Sequence, residues 1–266
     1  MKRTHLAALV LLVSAAASAH NIWIRPSSTH LSGETDYVAI DGAGSDFPFD
    51  VNHRGRPAAG LHAYAPDGKE IEKENLAVGK LRTTYDAKLS QQGTHRFVDE
   101  LRYVQFNYPD ENGKSKRWRD SPEKFQQENP LADKKREKFK QLTFIAETFA
   151  TLGEPTAEAI KPSDKGLDIE YLTHPNELYV GEKAEFRVVF DGKPLADARV
   201  RLAKDGMRYT SPKFTELKTD ADGKISIDWP EAGMYWIGTE KEVPSDVVKD
   251  APHTHRYAAG LEVLPL

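Results

Sequence analysis

A chain of 266 residues has room for two ordinary domains, and its 37 basic and 41 acidic side chains leave a formal charge of −4. That balance argues against nucleic acid or anionic lipid as the main partner and is compatible with a metal cation. The absence of cysteine removes disulfide frameworks, thiolate metal sites and the lipid-attachment residue of a lipoprotein.

Residues 1–19 predict a secretory signal peptide. Lys2 and Arg3 form a basic start, Leu6 to Ala17 an apolar run, and Ala17-Ser18-Ala19 a small-residue cleavage site. The run is shorter than the roughly 20 residues that cross a bilayer, and no later segment approaches that length. The mature chain is therefore expected in a Gram-negative periplasm, without a transmembrane helix and with His20 as its first residue.

Residues 20–110 predict an N-terminal β domain. TDYVAIDG, AGLHAYAPDGKEI, RTTYDAKLSQQGTHRFV and ELRYVQFNYPDENGK alternate apolar and polar positions between Gly, Asp and Pro breaks. Residues 111–165 predict a charged, helical linking segment. Ser121-Pro122 has the form of an N-cap with proline at the first helical position, Pro130 is expected to break the segment, and Phe139, Leu142, Ile145, Ala146 and Phe149 fit an amphipathic helix that Gly153 stops. Residues 166–266 predict a C-terminal sandwich of the immunoglobulin-like or transthyretin-like kind. GKPLADARV, TDADGKISI and PEAGMYWI resemble the strands and turn shared by transthyretin-like and carboxypeptidase-regulatory-like modules. The fold class expected is mainly β, with two β-sandwich-like domains joined by a helical excursion.

The chemistry concentrates in histidines. A mature N-terminal His20 would offer its α-amine and imidazole Nδ1 to one metal ion, and both groups lose a proton at little cost near neutral pH. Such nitrogen donors favour copper or nickel, with zinc behind. His253 and His255 are two apart on an extended chain, so both imidazoles face one side and could complete a four-nitrogen set. His62 shares a strand face with Tyr64, and His53 lies in a loop with Asp50, Asn52 and Arg54; both are further candidate ligands. Iron is accommodated by adding Asp41, Asp46 or Asp50. His95 beside a hairpin and His174 before Pro175 read as local structural residues, and the position of His30 is set by nothing in the local pattern. Trp23, Trp229 and Trp236 read as core, and KSKRWRD and DKKREKFK as solvated faces.

The leader, the mature start HNIWIRPSS, the helical excursion and the C-terminal sandwich together resemble a bacterial periplasmic family best described as a domain of unknown function, related to periplasmic nickel-uptake (NikM-like) components. The resemblance covers nearly the whole mature chain. It implies a metal-handling protein working beside a membrane transporter or outer-membrane receptor system. The chain departs from the membrane-attached nickel components in having no C-terminal transmembrane helix.

Catalytic motifs are missing: there is no H-E-x-x-H, no G-x-S-x-G, no phosphate loop and no cysteine nucleophile. The favoured expectation is a non-enzymatic periplasmic metal binder. A copper-dependent oxidoreductase built on a histidine brace is the alternative of a different class, and a metal-free accessory or interaction module is the third.

Overall fold

The computed structural model describes residues 20–210 and 213–266, so the expected leader over residues 1–19 lies outside the described residues. In chain order the first strands are β1 (Asn21–Pro26), β2 (His30–Leu31), β3 (Asp36–Ser45), β4 (Arg54–Gly55), β5 (Leu61–Tyr64), β6 (Lys73–Val78) and β7 (Thr83–Leu89). Two long strands, β8 (Gly93–Pro109) and β10 (Glu137–Leu152), bracket β9 (Ser115–Asp120) and the helix α1 (Pro122–Glu128). There follow β11 (Leu167–Tyr171), β12 (Lys183–Phe190), β13 (Lys193–Pro194), β14 (Arg199–Lys204), β15 (Thr215–Lys218), β16 (Lys224–Asp228), β17 (Gly233–Pro244) and β18 (Pro252–Val263).

The described strands form three sheets. The first runs β1-β3-β7-β6, with β4 added on β3. The largest runs β15-β14-β17-β18-β10-β8-β5, with β2 on β10 and β9 on β8. The third joins β11, β12, β13 and β16. A parallel pairing of β10 with β18, from Gln141↔His253 to Thr148↔Gly260, places strands from distant parts of the chain in the one large sheet.

That sheet is buried on both faces. Phe144, Ala146, Ala150 and Leu152 of β10 pack with Trp23, Ile24, Val38 and Tyr85 of the first sheet, whereas Phe149, with Ile145 beside it, joins Ile169, Phe186 and Ile227 of the third. Side chains alternate along a strand, so a central strand with two covered faces reads as a continuous apolar run. The mainly β, sandwich-like architecture expected from the sequence is the architecture found.

The amphipathic helix expected over Phe139 to Phe149 is instead strand β10. Residues Ala146 to Leu152 are all buried, and the segment is rich in Thr, Phe and Ile, which suit a pleated surface. The Lys- and Glu-rich stretch before it imitated a helix without forming one. A helix does form at Pro122–Glu128, where the Ser121 hydroxyl accepts the Lys124 N–H at 3.1 Å and Pro122 occupies the first turn. It ends at Asn129, in the left-handed conformation, just before Pro130. Phe125 of this helix packs with Val104 and Phe106 of β8.

Strand β1 is held in place by the large sheet. The Trp236 indole donates to the Ile22 carbonyl at 3.0 Å, and the Trp23 indole donates to the Ser45 hydroxyl at 2.8 Å. Gly260 of β18 sits so close under β1 that a Cβ there would collide with the Ile24 carbonyl. The start of the described chain is thereby fixed rather than trailing.

Candidate functional site

His20 immediately precedes β1, and register dictates what it meets. Asn21 pairs with Ser45, so extending the antiparallel ladder by one residue sets His20 opposite Asp46. On the other side of β3, Arg54 pairs with Gly44, which brings His53 to the same end of that strand. The two imidazoles stack with ring centroids 3.4 Å apart and planes 8° from parallel. His20 Nε2 lies 3.5 Å from Asp46 Oδ1.

The intervening loop is built to hold this arrangement. Asn21 Nδ2 donates to the Asp46 carbonyl at 2.7 Å, and the Asp46 N–H donates to Asn52 Oδ1 at 3.3 Å. Phe49, in the left-handed backbone region at φ 69°, packs its ring edge-on against Trp23 at 5.6 Å. Just beyond His53, Arg56 and Asp99 form a fully buried ion pair, and the Thr83 hydroxyl accepts the Arg56 N–H at 2.9 Å while donating to its carbonyl at 2.6 Å. Asp50 is buried in the same loop; burial pushes its carboxyl up, Arg208 at 3.7 Å opposes this, and Asp205 and Asp46 reinforce it.

The other expected ligands lie elsewhere. His253 and His255 do share a face, with ring centroids 3.9 Å apart, as two-residue spacing on a strand requires. That face is shared with Tyr257 and looks toward the third sheet, whereas Arg256, between His255 and Tyr257, looks into the cleft beside His20. The large sheet therefore separates His20 from the expected His253–His255 pair. Burial lowers both imidazole pKa values, that of His255 to about 4 with a further contribution from His253, so both are neutral at pH 7. His253 Nε2 is 2.9 Å from the Thr143 hydroxyl, and Asp246 stands 3.8 Å from its Nδ1.

His62, on β5, places Nδ1 2.9 Å from Glu70, which also binds Lys73. Asp41 is engaged by Arg82 at 3.4 Å. His95 is buried against the Gly93 carbonyl, and His174 bridges Thr94, Thr156 and the Asn176 N–H; desolvation lowers both, as befits neutral structural histidines. Trp23, Trp229 and Trp236 are core residues.

Two features were not singled out from sequence. A cleft of about 470 Å³ opens beside His20 and is lined by Arg199, Arg201, Arg256, Phe214 and Trp236. Its only sequence signal is RVRLAK, where alternation puts Arg199 and Arg201 on one face. The second feature is a buried polar network on the opposite face of the sheet. Glu147 accepts from Arg96 at 2.6 Å and from the Tyr257 hydroxyl, which lies 2.8 Å from the Tyr171 hydroxyl. Nearby Asp168 is pushed up to about 7 by burial and then by Glu147, against the pull of Arg96 and of two backbone N–H groups. A lone carboxylate inside the apolar run IAETFATL was the available signal.

Among the described residues no three His, Asp or Glu side chains gather as a metal-ligand set. The His20 and His53 imidazoles are stacked in parallel planes, so as placed their in-plane nitrogen lone pairs do not converge on one point. Asp46 Oδ1 stands beside Nε2 of His20, on the edge of the ring away from its main chain.

A family described as a domain of unknown function, DUF4198, matches residues 17–242. The chain belongs to the DUF4198 family. No curated protein matches it. Among solved structures, the D00-D0 domain of intimin is 8% identical with a TM-score of 0.20, covering 92% of this chain and 100% of that one. A DUF4785 family protein from Legionella pneumophila is 8% identical with a TM-score of 0.24, over 81% of this chain and 52% of the other. The Escherichia coli alpha-2-macroglobulin activated by porcine elastase is 13% identical with a TM-score of 0.21, over 91% and 31% respectively. Membership of DUF4198 assigns no activity, and among the described residues no helix is long and apolar enough to cross a membrane.

Proposed function

We propose that the chain, exported to the periplasm and processed after Ala19, is a non-enzymatic transition-metal binder that captures or delivers copper(II) or nickel(II) beside an uptake system. The His20 α-amine and Nδ1 form the donor pair, Asp46 orients the His20 ring, and the His53 imidazole joins them once its ring turns out of the stack. Kinship with nickel-uptake components is part of this reading. The observation that supports it is Asp46 Oδ1 at 3.5 Å from His20 Nε2, with the His53 ring lying on the face of the His20 imidazole. Nitrogen donors favour copper and nickel among the divalent first-row ions.

The test is mass spectrometry of the periplasmic protein followed by metal titration of that form and of a version with one extra residue before His20. The processed protein is expected to begin at His20 and to bind copper or nickel tightly, and the extension to abolish tight binding by removing the amine. Asp46→Asn, which removes the carboxylate beside His20 Nε2, is expected to weaken affinity by roughly 10- to 100-fold. A processed protein indifferent to copper, nickel, zinc and iron refutes the reading.

A further inference from the structure

The hairpin of β8 and β9 carries the stretch KSKRWRD, whose cations play no part at His20. Among the described residues β9 pairs with β8 alone. Pro109, opposite Ser115, has no N–H to give, and the Asp110 N–H closes the turn on the Lys114 carbonyl at 2.8 Å. In an antiparallel ladder hydrogen-bonded and non-hydrogen-bonded pairs alternate, so Tyr108–Lys116, Phe106–Trp118 and Val104–Asp120 are the hydrogen-bonded pairs. Arg117 and Arg119 fall in the alternate pairs. Their backbone N–H and C=O groups therefore point outward, to an edge that no strand covers among the described residues.

The side chains along this edge are sorted by face. Arg117 and Arg119 share one face with Gln105 of β8 and, beyond it, Lys140 of β10. Both arginines are exposed, and the Arg119 guanidinium lies on the Tyr103 ring, 3.6 Å from its centroid. Among the described residues no carboxylate stands at ion-pair distance from Arg117, Arg119 or Lys140. The nearby ones are engaged elsewhere: Asp110 by Lys116 at 3.8 Å, Asp120 by Lys124 at 2.9 Å, Glu137 by Lys135 at 2.6 Å, Glu240 by Arg256 at 3.1 Å, and Asp99 by Arg56. The cations consequently act on one another. Burial, then Arg117, Arg256 and Arg119, holds the Lys140 amine below its usual value, and burial with Arg54, Arg56 and Arg117 does the same to Arg119 against the pull of Tyr103. On the opposite face of β9 the partly buried Trp118 stacks on Phe106 at 5.2 Å and meets Phe125 edge-on at 5.8 Å.

We propose that the outer edge of β9 docks an extended acidic segment of a partner protein, which adds as a further strand with carboxylates beside Arg117 and Arg119 and apolar residues beside Trp118. The surface does not rest on the metal reading. A free edge is a liability that charge commonly blunts, and unpaired cations here reject neutral and basic strands while selecting an acidic one. A second copy pairing β9 with β9 would bring the arginines of both strands onto one face, which like-charge repulsion across a ladder opposes. An acidic strand relieves that repulsion and satisfies the outward backbone groups at the same time.

The test is fluorescence anisotropy with a dye-labelled peptide of alternating glutamate and valine, matched to the six residues of β9. Two controls carry the same residues in separate blocks, or the alternating order with N-methylated backbone amides. The alternating peptide is expected to bind, to lose affinity as salt is raised, and to shift tryptophan emission in the wild type but not in Trp118→Phe. Both controls are expected to bind at least about tenfold more weakly, through lost edge hydrogen bonds or lost alternation. Arg117→Gln with Arg119→Gln changes only exposed side chains and is expected to weaken binding by about fivefold. Equal binding of the three peptides would make the face a general attractor of anions and overturn strand docking. No binding, or wild-type affinity in the double variant, overturns it as well. A protein already dimeric through this edge, with the peptide displacing the second copy, would assign the edge to self-association and overturn the proposal.

Discussion

The loop that presents His53 depends on one buried ion pair, and breaking it is the sharpest test of how the fold supports the site. Arg56 and Asp99 are 1% and 0% exposed, and the guanidinium reaches the carboxylate through both Nε and an NH2 group. Arg56→Met keeps most of the aliphatic volume and strands Asp99 in the core, a loss expected to cost about 3–5 kcal/mol. Removing both charges, as Arg56→Met with Asp99→Leu, leaves nothing uncompensated and is expected to cost far less than the sum of the single changes. Urea unfolding of the wild type, both single variants and the double variant at pH 7 measures the coupling, and nickel titration of the same proteins reads the loop. The single variant is expected to lose affinity, since His53 lies three residues before the lost anchor. Additive costs around the cycle would show that the pair does not act as a unit, and unchanged nickel affinity in Arg56→Met would show that it does not position His53.

Two further outcomes follow from the opposite face and from the strand contact under β1. Asp168, pushed up to about 7 from an ordinary 3.8, holds a proton in the folded state that the unfolded chain releases, so its contribution to stability is full below pH 4 and is lost as pH rises through 7. The loss is at most roughly 4 kcal/mol, and Asp168→Asn is expected to flatten the unfolding free energy between pH 4 and 7; an unchanged slope would assign that pH dependence to other groups. Gly260→Ala places a methyl group against the Ile24 carbonyl and is expected to destabilise by about 1–3 kcal/mol, with loss of metal affinity as β1 is displaced. A variant as stable as wild type would show that β1 can move without cost.

What the sequence revealed follows from how many faces of each element are covered. TDYVAIDG alternates because β3 carries exposed or half-buried positions between buried ones for much of its length, and it is legible as a strand. The end of β10 does not alternate because both its faces are covered, and its Lys-rich approach supplied a helical disguise. The shared face of His253 and His255 was legible because two-residue spacing is local. The meeting of His20 with His53 was not, because it arises from β3 pairing with β1 on one side and β4 on the other, and no local pattern encodes a register between strands so far apart. The same limit applies to Arg56 and Asp99, whose contact spans 43 residues.

The separation of the histidines also decides how a metal reading must be framed. Residue counting favours one site of four nitrogens from His20, His253 and His255, yet a strand whose side chains alternate cannot offer Arg256 and the adjacent His255 to the same space. Because the side chain of Arg256 enters the cleft beside His20, His255 must leave it, and His253 goes with His255. Any donor set at His20 is consequently smaller than residue counting suggests, and the cleft beside it is walled by Arg199, Arg201 and Arg256 together with Glu240 and Asp46 where the two further imidazoles were expected.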